Sequence, residues 1–367
     1  MKNIKLLFAL CSLLFVLGAC DMTKSQPESG GITTNNSRVP RHFQKVSYSE
    51  LPGWKQDDVR YALKAFRNTC KAKLQYNGQV VPDRYLLEEK CQFLPKESAD
   101  NATVRAWFES HFQPYKQADE SGKTKGLFTG YYSPTIEASR TRSAKYSEPL
   151  MAVPNNGQTF KGIDKKTILA KQIGRPLYYA NLVDVQNIQI QGSGMLKLEN
   201  GELVKLNFAA VNDLPFNSIG EQLRKRGIRP PDGYSADAVW RFLKTKPDLA
   251  REVIDNNPRY VYFVESPAHD VVGKLGTPLS KIRSIAVDDS IYTVGLPTYV
   301  DTNLSDGRRF QRLMIAQDTG SAIRGYVRAD IFFGSGDEAY QYAQGQHAQG
   351  EMYILMPKQY QYVKPTW

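Results

Sequence analysis

AQDTGSAIRGYVRADIFFGSGDEA, residues 316–339, is the stretch on which the reading of this chain turns. Asp318 ends an apolar run that starts near Arg312 and enters a turn through Thr319 and Gly320. Asp330 stands between Ala329 and the apolar Ile331, Phe332 and Phe333. An acid among apolar neighbours has its pKa raised by desolvation, as a general acid near neutral pH requires. An Asp in a glycine-rich turn also has a structural reading, because its side chain bonds nearby backbone amides. The residues alone leave both readings open.

Outward from this stretch, short β-type runs separated by turn residues predict a mostly β architecture with some helices. The runs are LFTGYYSPTI (127–136), NIQIQGSGMLKL (187–198), YVYFVE (260–265), RSIAV (283–287), RLMIAQ (312–317) and MYILM (352–356). Helices are expected after Asp57 and Asp58, where Val59, Leu63, Phe66 and Cys70 recur at helical spacing, and from about Ala99 to Phe112. A helical interlude is expected at Ser218–Arg226, Ala236–Lys244 and Pro247–Asn256.

At the N-terminus, Lys2 and Lys5 precede an apolar run from Leu6 to Leu17, too short to span a bilayer but of the length of a signal-peptide core. The run closes on Leu17, Gly18, Ala19 and Cys20, which predicts a cleaved signal segment over residues 1–19 and lipid modification of Cys20. Residues 20–40, rich in Ser, Thr, Asn, Gly and Pro, then form an anchor and flexible tether. Cys11 leaves with the signal, so Cys70 and Cys91 remain; in an oxidising compartment they read as one disulfide, two buried thiols being the alternative.

The formal charge is +11, and about +9 once Lys2 and Lys5 are removed. Such a chain is drawn to polyanions. An exported protein rarely meets nucleic acid, whereas peptidoglycan carries lactyl and peptide carboxylates. His42, His111, His269 and His347 lie far apart without paired spacing, so neither a metal nor a cofactor is expected. There is no G-x-S-x-G elbow and no P-loop. Asp318-Thr319-Gly320 matches the triplet of aspartic proteases, but those enzymes need a second copy to share one proton, and none exists here. Carboxylate chemistry is what remains.

The chain resembles the membrane-bound lytic murein transglycosylase A family from about Tyr61 to Pro357. The resemblance is carried by FTGYYSPTIEASR (128–140), IQIQGSG (188–194), FNSIGEQLRKRGI (216–228) with NNPRYVYF (256–263), and the C-terminal block. Its last part is similar to a domain named for three aspartates, which map to Asp288, Asp318 and Asp330. The resemblance implies a double-psi β-barrel from residues 41–133 and 263–367, an inserted β-barrel-like domain over 134–262, and a groove between them for a glycan strand. It implies Asp330 as the single catalytic acid, protonating the oxygen between N-acetylmuramic acid and N-acetylglucosamine and then acting as base while the C6 hydroxyl closes a 1,6-anhydro ring.

Asp318 is expected in support of Asp330, and Asp288 as structural. Tyr131, Tyr132, Ser133, Gln191, Gly192, Ser193 and Gly320 are expected to bind substrate; Tyr131 and Tyr132 alternate on a β run, so one of them faces the groove. In the loop 212–217, Asn212, Asp213, Leu214, Pro215 and Phe216 depart from the family's Asn-Gly-His pattern. A catalytically silent wall-binding lipoprotein and a glycan hydrolase on the same barrel are the alternatives. The expected setting is a Gram-negative cell envelope facing the periplasm, as a monomer, with wall-synthesis complexes as candidate partners. The resemblance favours the outer membrane, and Asp21 favours the inner one.

Overall fold

The computed structural model describes residues 42–72, 84–155, 157–234, 236–267 and 270–358. The expected signal segment, Cys20 and the tether up to residue 40 lie outside them. The first part of the chain carries β1 (Phe43–Lys45), α1 (Arg60–Lys71), α2 (Arg84–Lys90), α3 (Asn101–His111), β2 (Phe112–Gln117) and β3 (Gly126–Ser133). There follow β4 (Thr135–Ser139), β5 (Glu148–Ala152), α4 (Lys165–Ala170), β6 (Arg175–Ala180), α5 (Leu182–Gln191), β7 (Gly194–Leu198) and β8 (Leu203–Val211). Then come α6 (Ile219–Lys225), α7 (Ala236–Lys244), α8 (Pro247–Asp255) and β9 (Val261–Ser266). The last part holds β10 (Ser284–Val287), β11 (Pro297–Asn303), β12 (Arg309–Thr319), β13 (Arg328–Ser335), α9 (Gly336–Gln344) and β14 (His347–Pro357).

Two sheets organise these strands. The first has the order β1-β2-β14-β11-β12-β10-β13-β3, and β14 also pairs with β3, so six strands close into a barrel that leaves no open edge among them. Its parallel pairs are β10 with β12 and β13 with β3. The second sheet has the order β5-β6-β4-β7-β8-β9. The fold is mostly β with helices, a double-psi barrel joined to a second barrel-like sheet.

The barrel core is built from Phe128, Ile285, Tyr299, Leu313, Ile331 and Ile354, with Phe66 of α1 and Phe108 of α3 packed into it. A separate core of Ile136, Leu150, Ile188, Leu196, Leu206 and Phe263 fills the second sheet. Cys70 and Cys91 are joined by a disulfide that ties α1 to the segment after α2.

Three expectations are corrected. Residues 187–191, read as part of the β-type run 187–198, are the end of α5. That helix is capped by the Asn181 side chain on Val183 N–H and closed by Gly192 at φ 76°, a conformation glycine adopts without penalty. The boundary drawn at Tyr262 falls inside β9, and Phe263–Ser266 stay paired with β8 in the second sheet. Asp57 is no helix-start residue, because α1 begins at Arg60. Its carboxylate accepts Arg283 at 2.6 and 2.9 Å and the Leu313 N–H at 2.7 Å, forming a buried pair that pins α1 to the barrel.

Candidate active site

Strand register, rather than chain proximity, assembles the site. Ala286 of β10 pairs with Asp330 on one side and Asp318 on the other, Asp330 pairs with Thr129, and Thr129 pairs with His347. Directly paired residues point to the same face, so Asp318, Ala286, Asp330, Thr129 and His347 form one row. Their neighbours Ile285, Ile331, Phe128 and Ala329 are fully buried in the barrel, which turns the row away from the core. Asp318 reaches this face through a bulge: Ile285 pairs with Ala316 and Ala286 with Asp318, leaving Gln317 as the extra residue. Gln317 is buried and holds Ser284 and the Ala65 carbonyl.

The two aspartates are supplied differently. Thr129 Oγ1 donates to Asp330 Oδ1 at 2.6 Å and accepts from Arg328 Nη2 at 2.9 Å. A guanidinium has only donors, so it fixes the threonine hydroxyl with its proton toward Asp330. Among the described residues nothing bonds Asp330 Oδ2. Burial holds the Asp330 carboxyl above the usual carboxylate range, opposed by the Thr129 hydrogen bond and the Arg328 charge.

Asp318 has both oxygens engaged. Oδ1 accepts the N–H groups of Thr319 at 2.9 Å and Lys274 at 3.1 Å, and Oδ2 accepts the Tyr131 hydroxyl at 2.9 Å. Burial pushes its pKa up to about 6 against those three hydrogen bonds. Tyr131 thus faces the aspartate row, its ring 5.2 Å from Phe332. Asp288 is a loop clamp. It accepts from Ser290, Gly325 N–H and Arg324.

The remaining candidates divide. Tyr132 lies on the opposite face of β3, 9 % exposed, packed against Tyr340 and accepting the Asn187 amide N–H at 3.2 Å. Ser133 is fully buried and accepts from the buried Lys205 of β8 at 2.6 Å, so it holds the second sheet rather than a ligand. Gln191 Oε1 accepts the Tyr132 N–H at 3.4 Å, while Gly192 and buried Ser193 turn the chain from α5 into β7. Gly320 follows Thr319 at the end of β12, and a Cβ there would meet Ile323 at 3.0 Å. Sequence reasoning missed Thr129 and Arg328. The signal was period two along β13, which puts Arg328 and Asp330 on one face.

Residues 127–176 and 158–264 match the MltA specific insert domain, and residues 283–356 match the 3D domain. A membrane-bound lytic murein transglycosylase A from Vibrio cholerae is 30% identical over 255 residues, covering 66% of this chain and 68% of that protein. The chain belongs to the membrane-bound lytic murein transglycosylase A family. An Agrobacterium tumefaciens crystal structure of a membrane-bound lytic murein transglycosylase superposes with a TM-score of 0.76 at 28% identity, covering 86% of this chain and 97% of its own. The Escherichia coli MltA structure with bound chitohexaose shares the fold, with a TM-score of 0.69 at 23% identity over 91% of this chain and 100% of its own.

Proposed function

We propose that this family member is a peptidoglycan lytic transglycosylase in which Asp330 alone performs acid and then base chemistry. The supporting observation is the unequal state of the two aspartates. Burial raises the pKa of both, but Asp330 keeps an oxygen without a partner among the described residues, whereas both oxygens of Asp318 are filled. Glycosidases that activate water or form a covalent intermediate need two working carboxylates. A single one suffices when the nucleophile is already attached to the sugar and held near the reacting carbon.

In this reading Asp330 Oδ2 gives its proton to the glycosidic oxygen as the bond from C1 of N-acetylmuramic acid breaks. The resulting carboxylate, steadied by Thr129, takes the proton of the C6 hydroxyl while that oxygen bonds to C1. Asp330 is thereby restored to its acid form and no water is consumed. Tyr131 and Asp318 hold the wall of the site. The glycan strand lies along the groove between the sheets, and Cys20 anchors the enzyme by its lipid so that the site faces the periplasm.

Digestion of purified sacculi should release muropeptides ending in 1,6-anhydromuramic acid, and Asp330→Asn should lower that release by about 1000-fold while sacculus binding persists. Products carrying only reducing ends would overturn the elimination in favour of a hydrolase. Binding without any release from the wild type would favour a silent scaffold.

A further inference from the structure

A cavity of about 690 Å³ opens between the start of α1, the segment before β10 and the first half of β12. Arg312, in its wall, precedes Asp318 by six residues on the same strand, which separates the two by roughly 20 Å. The cleft is therefore not part of the aspartate row.

Its charges are unevenly matched. On the floor Arg283 and Asp57 neutralise one another at 2.6 Å, both nearly inaccessible. At the rim Lys281 bonds Glu338 at 2.6 Å, Arg309 bonds Asp301 at 2.6 Å, and Asp58, the second carboxylate in the lining, is taken up by Arg60 at 2.6 Å. The Arg312 side chain has no hydrogen bond or ion pair among the described residues; its guanidinium lies over the Phe310 ring, 5.2 Å from the centroid. Burial and the nearby charges of Arg283 and Arg308 disfavour its charged form, and Asp57 offsets this only in part. Beside it Tyr61 is 59 % exposed, with Arg283 5.8 Å from its ring centroid. A half-buried, uncompensated guanidinium facing a cavity is a cost that an incoming anion relieves. The planar fork suits a carboxylate, and an exposed aromatic beside it suits a short apolar body.

We propose that this cleft is an accessory subsite for the carboxylates of wall peptides, with Arg312 as its anion fork and Tyr61 as its apolar wall. The proposal rests on the reading of the chain as a peptidoglycan enzyme, since stem peptides are the carboxylates attached to that substrate. It would hold the wall at a second point while a glycan strand occupies the catalytic row.

Co-sedimentation tests it, using sacculi with intact stems and glycan strands stripped of peptide by an amidase, with the Asp330→Asn protein so that nothing is digested. Adding Arg312→Gln should weaken binding to stem-bearing sacculi about tenfold and leave stripped strands unaffected. Tyr61→Ala should act in the same direction on stem-bearing sacculi alone. Unchanged binding to stem-bearing sacculi, or an equal loss on stripped strands, would overturn the subsite. The active enzyme is run in parallel on stripped strands. Anhydro ends released there, together with unchanged binding of the Arg312→Gln protein to stem-bearing sacculi, sink only the subsite, whereas absence of anhydro ends sinks the proposed activity.

Discussion

Thr129 decides which oxygen of Asp330 can carry a proton. Its hydroxyl, oriented by Arg328, stabilises the carboxylate form, so removing it raises the Asp330 pKa further. Thr129→Val should lower kcat by about 10- to 100-fold and move the alkaline limb of its pH profile upward, because the acid stays protonated to higher pH. An unmoved limb, read from initial rates of anhydro-product release, would show that the bond does not tune the acid. Asp318 makes a different statement. Its folded pKa of about 6 lies above the ordinary 3.8, so between pH 4 and 6 the folded protein binds a proton that the unfolded chain releases. Stability from this group is present at the acid end and is lost as pH rises through 6. The difference in Tm between wild type and Asp318→Asn should therefore change across pH 4 to 6 and flatten above it.

Strand β3 carries functions on two faces, and Gly130 makes that arrangement fit. A Cβ at Gly130 would come within 2.5 Å of the Phe333 ring and 3.0 Å of the Ala343 backbone in α9. Helix α9 thus sits directly on the strand that presents Thr129 and Tyr131. Gly130→Ala should cost about 1–3 kcal/mol by overpacking, measured by urea denaturation, and should also depress kcat as β3 shifts. A variant as stable and active as wild type would mean that α9 moves without consequence for the row. Helix α5 shows where sequence reading failed at this level. Alternation of Ile and Gln over 188–191 mimicked a strand, although Asn181 as cap and Gly192 as terminator were helix signals within reach.

Across the molecule, the two sheets meet at Ser133, which the barrel supplies, and Lys205, which the second sheet supplies. Burial lowers the Lys205 pKa to about 8, so its ammonium is held at a cost below that pH. The unfolded chain binds more protons between pH 8 and 10, and stability from this lysine accordingly rises with pH over that window. Lys165, also lowered to about 8 by burial, adds to the same slope. Lys205→Met should leave Tm at pH 7 unchanged or raised, because a buried charge is replaced by an apolar chain of similar length. The same variant should lower kcat/KM on sacculi several-fold, since the sheets lose the bond that sets their relative position. A large drop in Tm at pH 7 would contradict this account. Reducing or replacing the Cys70–Cys91 bridge, which closes a sequence separation of 21 residues, should destabilise by about 3 kcal/mol, read as a lower Tm.

Local pattern carried much of this protein. Apolar runs of strand length placed β3, β9, β10, β12 and β14, helical spacing placed α1, α3 and α6 to α8, and the acids of the C-terminal block stood out among apolar neighbours. These are short-range signals, set by backbone propensity and side-chain period. The row of Asp318, Asp330 and Thr129, the bulge at Gln317 that turns Asp318 onto it, and the burial of Tyr132 and Ser133 depend on which strands become neighbours and in what register. Register is fixed by pairing between segments more than 200 residues apart, such as Thr129 with Asp330 and Phe112 with Pro357, and only the closed barrel supplies those partners.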